Sequence, residues 1–317
     1  MHKLMNTYHQ EKIPYLFIFD FDGLHPLVVP LRDAESENIF YDINGISNIP
    51  THSVSDEALI FNKELISFNT FRKAFGKVQQ QLKAGNSYLV NLTFETPIKV
   101  NRSLWEIFLI SKARYKLFYK DRFVVFSPET FITINNGDIS TFPMKGTIDA
   151  SIENASDVIL NDLKEMSEHA TITDLLRNDL SMVADHVRVE RYRYIETLLT
   201  HEKTLLQVSS EIRGNLLPEL KDNIAGIFSR LLPAGSISGA PKKRTLEIIK
   251  EAESHDRGYY TGVFGFDNGI RIDSGVMIRY IEKREGKLYY KSGGGITTMS
   301  DARKEYEEMG DKVYLGL

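Results

Sequence analysis

Four glutamates in this chain fall into two pairs at helical spacing, Glu165 with Glu168 and Glu305 with Glu308. Residues three apart share one face of a helix, so each pair can aim two carboxylates at one point. If the two helices meet, they make a hard, oxygen-rich site of the kind Mg²⁺ takes, completed by water and substrate oxygens. A solvated acidic helix face has the same spacing, and spacing alone does not choose between the two. Lys145, in Pro143-Met144-Lys145-Gly146-Thr147, stands in a short loop with apolar flanks, where an amine could meet a small anionic substrate. To act as a nucleophile it must be partly neutral, which takes burial or neighbouring cations. Glu129, in Ser127-Pro128-Glu129-Thr130-Phe131, precedes it by one hairpin. A carboxyl group in a pocket can stay protonated near neutral pH and donate that proton.

Other segments could bind an anion. Ser292-Gly293-Gly294-Gly295-Ile296 reads as a turn after a strand, its glycines leaving backbone N–H groups open to a ligand; a merely flexible turn reads the same way. Ser236-Ile237-Ser238-Gly239-Ala240-Pro241-Lys242 is a small-residue turn at a helix start, another natural place for anion contacts. Arg279, in Met277-Ile278-Arg279-Tyr280, carries a planar fork of donors suited to a carboxylate. Thr147, beside Lys145, offers a hydroxyl donor. Tyr260 taken alone reads as core packing.

These residues need elements to hold them. Residues 1–65 read as short strands and turns, with 17–19 and 38–42 as candidates. Residues 69–84 have a helical pattern with Phe71, Phe75 and Val78 on one face, and 87–94 read as a strand. Residues 104–113 form a short helix. Strands follow at 123–126, 130–134 and 139–142, with Asn135-Asn136-Gly137-Asp138 as a hairpin turn. Residues 156–184 read as a long helix broken near Thr171, 205–212 as a strand, and 223–232 and 241–254 as helices. Strands at 259–266, 271–281 and 287–291 precede a last helix from Asp301. Without regular βαβ alternation, the class is α+β with large antiparallel sheets. With no repeat and no linker, residues 1–317 are expected to form one domain, the N-terminal strands integrated into it.

Composition excludes several classes. Cys is absent, which rules out disulfides, thiol nucleophiles and Cys-ligated metals. A net charge of -4 gives no sign of a nucleic-acid surface. No apolar run approaches the ~20 residues needed to cross a membrane, and residues 1–13 lack a signal-peptide core. A soluble cytoplasmic protein is expected.

The Lys145 loop, Asp174-Leu175-Leu176-Arg177-Asn178-Asp179-Leu180, and Ser236 to Lys242 with Pro233-Ala234-Gly235 ahead of it together resemble the chorismate-utilising enzymes. The resemblance covers roughly residues 70–315. Lys145 makes the chain most like the aminodeoxychorismate synthase component I branch; anthranilate synthase usually has Ala there. The resemblance implies antiparallel sheets packed as a sandwich with helices outside. It implies Lys145 as covalent nucleophile and Glu129 as general acid and base. By match, Glu168 and Glu308 are direct Mg²⁺ ligands, Glu165 and Glu305 act through water, and the metal binds the ring carboxylate of chorismate. Arg279 and Gly293, Gly294 and Gly295 match contacts to a substrate carboxylate. Thr147, Ser238, Gly239, Tyr260 and Lys312 complete the implied pocket. The implied reaction converts chorismate and ammonia to 4-amino-4-deoxychorismate, on the route to 4-aminobenzoate and folate. A glutamine amidotransferase subunit is the implied ammonia source, because a Cys-dependent glutaminase cannot reside in this chain.

Two positions depart from the pattern. Leu89 stands where many relatives have Gln, and where isochorismate and salicylate synthases place a water-activating Lys. Leu206 stands where anthranilate synthases carry a His. Both weigh against those reactions, and anthranilate synthase component I is the alternative within the family. About 65 residues precede the family core, so an amino-acid effector site is not expected. A rival of another class is a haloacid-dehalogenase-like phosphatase, suggested by Phe17-Ile18-Phe19-Asp20-Phe21-Asp22-Gly23. Leu24 follows that motif without a doubly wound pattern downstream, so a strand followed by an acidic turn competes with it. A chorismate-binding scaffold without activity is a third reading, and intact Glu129, Lys145 and the four glutamates oppose it.

Overall fold

Tyr15-Leu16-Phe17-Ile18-Phe19 is buried at all five positions. Alternation along the strand sends Tyr15, Phe17 and Phe19 into one apolar cluster and Leu16 and Ile18 into another. A strand dry on both faces has no position for a polar residue, so the sequence is a continuous apolar run. The neighbouring region repeats this logic. Leu117, Phe123 and Val125 join the cluster of Leu16 and Ile18. Phe118, Val124 and Phe126 turn outward onto Leu104, Ile107 and Phe108 of the helix Leu104–Ile110. The computed structural model describes residues 2–50, 57–199 and 204–316.

Among the described residues there are two nine-stranded sheets. The first runs, in spatial order, Met144–Asp149, Thr204–Leu216, Asp138–Thr141, Thr130–Asn135, Arg271–Val276, Val263–Asp267, Tyr15–Phe19 and Leu27–Pro30, with Ala184–Leu199 also paired to Thr204–Leu216. The second runs Gly239–Ala240, Leu89–Val100, Lys287–Ile296, Tyr280–Arg284, Phe123–Ser127, Tyr115–Tyr119, Ile39–Ile43 and Ile46–Ser47, with Phe61–Lys63 also paired to Leu89–Val100. Every pair is antiparallel. The fold is α+β, as its sequence implied. The largest cluster packs Phe68–Lys83, Leu163–Leu180, Ile224–Leu231 and Lys242–Ala252 against strands of both sheets. Among the described residues no helix is long and apolar enough to cross a membrane.

Sheets of this kind leave no place for the phosphatase reading, which needs a doubly wound parallel sheet. Asp20 instead accepts a hydrogen bond from the His25 N–H at 2.9 Å, closing an acidic turn. The hairpin at residues 135–138 forms as expected: Asn136 and Gly137 have φ of 53° and 85°, the two positive values of a type I′ turn. Other expectations fail for identifiable reasons. The helix break lies at Asp162, whose side chain caps Leu163–Leu180 by accepting from the Glu165 N–H. Thr171 stays inside that helix, its hydroxyl donating back to Ser167 O at 2.9 Å. Residues 271–281 form two strands in different sheets, and residues 277–279 carry the chain between them. The strand Ala184–Leu199 was not expected because it is largely exposed, and the helix His2–Gln10 because it is mostly polar, with Met5 and Tyr8 reaching the core.

Candidate active site

Lys145 sits in a bulge, not a loop. The strand Met144–Asp149 pairs with Thr204–Leu216, and its register shifts between Met144 and Thr147. The skipped residues are Lys145 and Gly146, and Gly146 takes φ of 92°, a conformation that favours glycine. Against this bulge packs the helix Leu163–Leu180, which presents Glu165 and Glu168. Glu168 Oε2 lies 2.7 Å from Lys145 Nζ, and its other oxygen 3.5 Å from Lys164 Nζ. Burial by itself pushes the Lys145 amine down, but the carboxylates of Glu168, Glu308 and Glu165 outweigh it and hold the pKa above the usual lysine value. As the side chains stand, Lys145 is therefore an ammonium and not the partly neutral amine a nucleophile requires.

The three glycines at 293–295 lie within the strand Lys287–Ile296, paired with Leu89–Val100, and not in the expected turn. Tight packing explains the composition. A Cβ on Gly293 would stand 2.3 Å from the Leu92 carbonyl oxygen. A Cβ on Gly294 would stand 3.5 Å from both Glu305 Oε2 and Lys312 Nζ, so that residue faces the charged cluster. Glu305 and Glu308 come from the C-terminal helix Ala302–Asp311, capped by Asp301. Just past it, Lys312 Nζ reaches Glu308 Oε1 at 2.8 Å and donates to Gly293 O at 2.9 Å. Lys312 holds the Glu308 carboxyl down to about 2. Burial raises Glu165 and Glu305 above the usual carboxylate range, so these two acids lack a full counter-charge.

The two glutamate pairs share one electrostatic environment, since Lys145 and Lys164 lower both Glu305 and Glu308. The donors are all carboxylates, which suits a hard divalent cation. Among the described residues, however, no three carboxylates or imidazoles converge closely enough to hold a metal as placed. Lys145 and Lys164 pair with Glu168, and Lys312 with Glu308, instead.

Glu129 is fixed by its backbone, donating to Ser127 Oγ at 3.1 Å and accepting from the Val276 N–H at 3.0 Å. Its Oε1 accepts from the Ser236 hydroxyl at 2.6 Å. Burial raises this carboxyl, against the opposing pull of Ser236, Arg279 and Lys312. A raised carboxyl can keep its proton and donate it.

Arg279 lies in the crossing between sheets rather than on a strand, with φ of 52°. Its guanidinium stacks over Tyr314 at 5.0 Å. Its Nε–H is buried with no partner in the protein, an unclaimed donor in the cleft wall. Tyr260 is 4% exposed, and burial keeps its phenol protonated.

Lys145, Glu129, Thr147, Tyr260, Arg279, Gly293, Gly294, Gly295, Glu165, Glu168, Glu308 and Lys312 all line one cleft of about 1610 Å³. Three expected residues do not: Glu305, Ser238 and Gly239. Ser238 is fully buried and donates to Ala234 O at 2.8 Å. Gly239 pairs with Val90, in a spot where a Cβ would run into the Leu89 carbonyl. The cleft-facing serine is Ser236. Leu206 is likewise turned away: the alternate residues Leu205 and Gln207 line the cleft. Beside Leu206, the cleft is met by the Gln207 carboxamide. Leu89 does line the cleft. Asn91, two residues on, lines it too, and its Oδ1 is buried without a partner. The sequence placed Ser236 in an anion-contact turn without choosing it over Ser238, and gave no signal for Gln207 or Asn91 beyond strand alternation, whose phase depends on register.

A model of the chorismate binding enzyme family matches residues 30–315. An "Uncharacterized PabA-like protein" of Haemophilus influenzae is 47% identical over 310 residues, covering 98% of this chain and 94% of that one. An aminodeoxychorismate synthase component 1 of Klebsiella aerogenes is 31% identical over 263 residues, covering 78% of this chain but 57% of that relative. The solved structure of MenF, the menaquinone-specific isochorismate synthase of Escherichia coli, shares the fold with a TM-score of 0.77 at 13% identity, over 98% of this chain and 80% of that one. The family match runs over residues 30–315, nearly end to end, and leaves one conclusion: the chain belongs to the chorismate binding enzyme family.

Proposed function

We propose that this chain aminates chorismate at C4, acting as an aminodeoxychorismate synthase component I. The observation that carries this reading is a lysine amine and a carboxyl raised by burial, Lys145 and Glu129, lining the same cleft. Lys145 attacks C2 of chorismate as the 4-hydroxyl departs, taking its proton from Glu129 and leaving as water. Ammonia then adds at C4, the Lys145 amine is expelled, and the proton lost by the new amine returns to Glu129. The carboxylates of Glu168, Glu308 and Glu165 keep Lys145 protonated; were their charge neutralised, burial would be left to lower it. Arg279, with its free Nε–H, binds a substrate carboxylate as a planar fork. Glu168 and Glu308, with Glu165 and Glu305 behind them, would hold Mg²⁺. Such an ion would fix the ring carboxylate and withdraw charge from the ring. The ammonia comes from a glutamine amidotransferase subunit.

The test is to incubate the purified chain with chorismate, Mg²⁺ and ammonium at mildly alkaline pH and identify products by mass spectrometry. Aminodeoxychorismate is expected, and Lys145→Ala is expected to remove it. Anthranilate as the product, or full amination by Lys145→Ala, would overturn the reading.

A further inference from the structure

The backbone of Lys145 has lost its strand partner. The register shift between Met144 and Thr147 leaves the carbonyl of Lys145 outside the ladder to Thr204–Leu216. On the other side of Thr204–Leu216, a second irregularity between Arg191 and Tyr194 frees the N–H of Arg193, which has φ of 51°. The two orphaned groups lie on opposite sides of one strand, and a buried chain of two side chains joins them.

The Arg193 N–H donates to Ser210 Oγ at 2.9 Å. Ser210 Oγ lies 2.7 Å from His169 Nε2, and His169 Nδ1 lies 3.3 Å from Lys145 O. His169 is fully buried. Ser210 is fixed by its own N–H, which donates to Pro143 O at 3.0 Å. The two ends of the chain determine every proton in it. An amide N–H can only donate, so Ser210 Oγ accepts there and has its hydroxyl hydrogen free for His169 Nε2. The Lys145 carbonyl can only accept, so Nδ1 carries the ring proton and donates it there, and Nε2 of the neutral ring accepts from the Ser210 hydroxyl.

From this geometry we infer that His169 is a positioning residue for the nucleophile. Glu168 and His169 are neighbours on one helix, and together they grip Lys145 at both ends: Glu168 takes the ammonium at 2.7 Å and His169 takes the backbone carbonyl. The bulge that frees Lys145 from the sheet thus gains a substitute for its lost ladder bond, and the height of the amine in the cleft is set by the imidazole. The inference rests on reading Lys145 as the nucleophile.

The test compares His169→Gln with His169→Asn. The Gln amide reaches the place of Nε2 and can bond Ser210 but not the Lys145 carbonyl; the Asn amide nitrogen falls near the place of Nδ1 and can restore that bond. His169→Gln is expected to lower kcat for amination about 10- to 100-fold, the scale of a misplacement near 1 Å, with KM for chorismate unchanged. His169→Asn is expected to recover most of kcat. Acylation of the Lys145 amine relative to that of Lys164, read by peptide mass spectrometry, is expected to change in the Gln variant and return in the Asn variant. Equal kcat and equal labelling in His169→Gln and the wild type would overturn the inference. So would a His169→Asn variant as impaired as His169→Gln, which would mark His169 as packing only. A wild-type chain that leaves chorismate unconsumed would defeat the functional reading, while the labelling ratio would still decide the positioning role.

Discussion

Gly293 and Gly294 are neighbours in one strand, yet adding a methyl group to each should have opposite effects. Gly293→Ala places a Cβ 2.3 Å from the Leu92 carbonyl oxygen and 2.7 Å from the Thr93 Cα. Both are backbone atoms of the paired strand, so the ladder itself must move. Overpacking of this kind costs about 1–3 kcal/mol, and a backbone obstacle puts the cost at the upper end. For a chain of this size each kcal/mol lowers Tm by roughly 2 °C, so a loss of roughly 4–6 °C is expected. Gly294→Ala meets Glu305 Oε2 and Lys312 Nζ at 3.5 Å and Glu308 Oε1 at 3.9 Å, ordinary contact distances. It also restricts the unfolded chain, worth about 0.4–1 kcal/mol of stability. Tm should hold or rise slightly. The methyl would nevertheless occupy the space between the carboxylates and the substrate, and kcat/KM for chorismate should fall at least about tenfold, equivalent to about 1.4 kcal/mol. The assay is a thermal melt beside steady-state kinetics for both variants. A Gly293→Ala protein melting with the wild type, or a Gly294→Ala protein with wild-type kcat/KM, would refute the placement of this strand against the acidic cluster.

Three further outcomes are expected. Ser236→Ala removes the 2.6 Å hydrogen bond that opposes burial at Glu129, so the Glu129 carboxyl should rise further and the alkaline limb of kcat/KM should move to higher pH. The sign for stability follows: a carboxyl raised by folding contributes fully below its unfolded pKa of about 4.3 and loses that contribution as pH rises through the folded value. Ser236→Ala should therefore cost more stability at pH 7 than at pH 4, in melts at both. Glu308 behaves in the opposite way, because Lys312 depresses it to about 2. Its contribution is present above the unfolded value and lost as pH falls through about 2, so the Tm gap between the wild type and Glu308→Gln should close over that acid range. Chelation of Mg²⁺ should abolish chorismate turnover, and full activity in excess chelator would remove the metal assignment from the four glutamates.

What was legible in the sequence depended on whether local chemistry determined the structure. The Asn136-Gly137 turn was readable because few other dipeptides accept two positive φ values. The strand at residues 17–19 was readable because a strand dry on both faces has only one kind of sequence. Lys145, Glu129, the glutamates and Arg279 were readable as residue types, but their backbone settings were not. A bulge at 145, glycines inside a strand and an arginine at a crossing all depend on pairings with residues far away in the chain. The same holds for Ser236 against Ser238 and Gln207 against Leu206. One step along a strand or a short turn exchanges the cleft for the core, and only long-range register fixes which residue faces inward.

The order of the strands has a consequence for biogenesis. The first sheet has Val263–Asp267 and Arg271–Val276 in its middle, between Tyr15–Phe19 and Thr130–Asn135. The second has Tyr280–Arg284 and Lys287–Ile296 in its middle, between Phe123–Ser127 and Leu89–Val100. A ribosome releasing this chain from its N-terminus therefore produces both outer parts of both sheets before either centre. Until the segment ending at Ile296 has emerged, the nascent polypeptide carries unpaired apolar strand edges on both sides of two gaps. Such a chain should occupy holdase chaperones for most of its synthesis and gain protease resistance in one late step, with its four central strands arriving as a wedge that closes both sheets together.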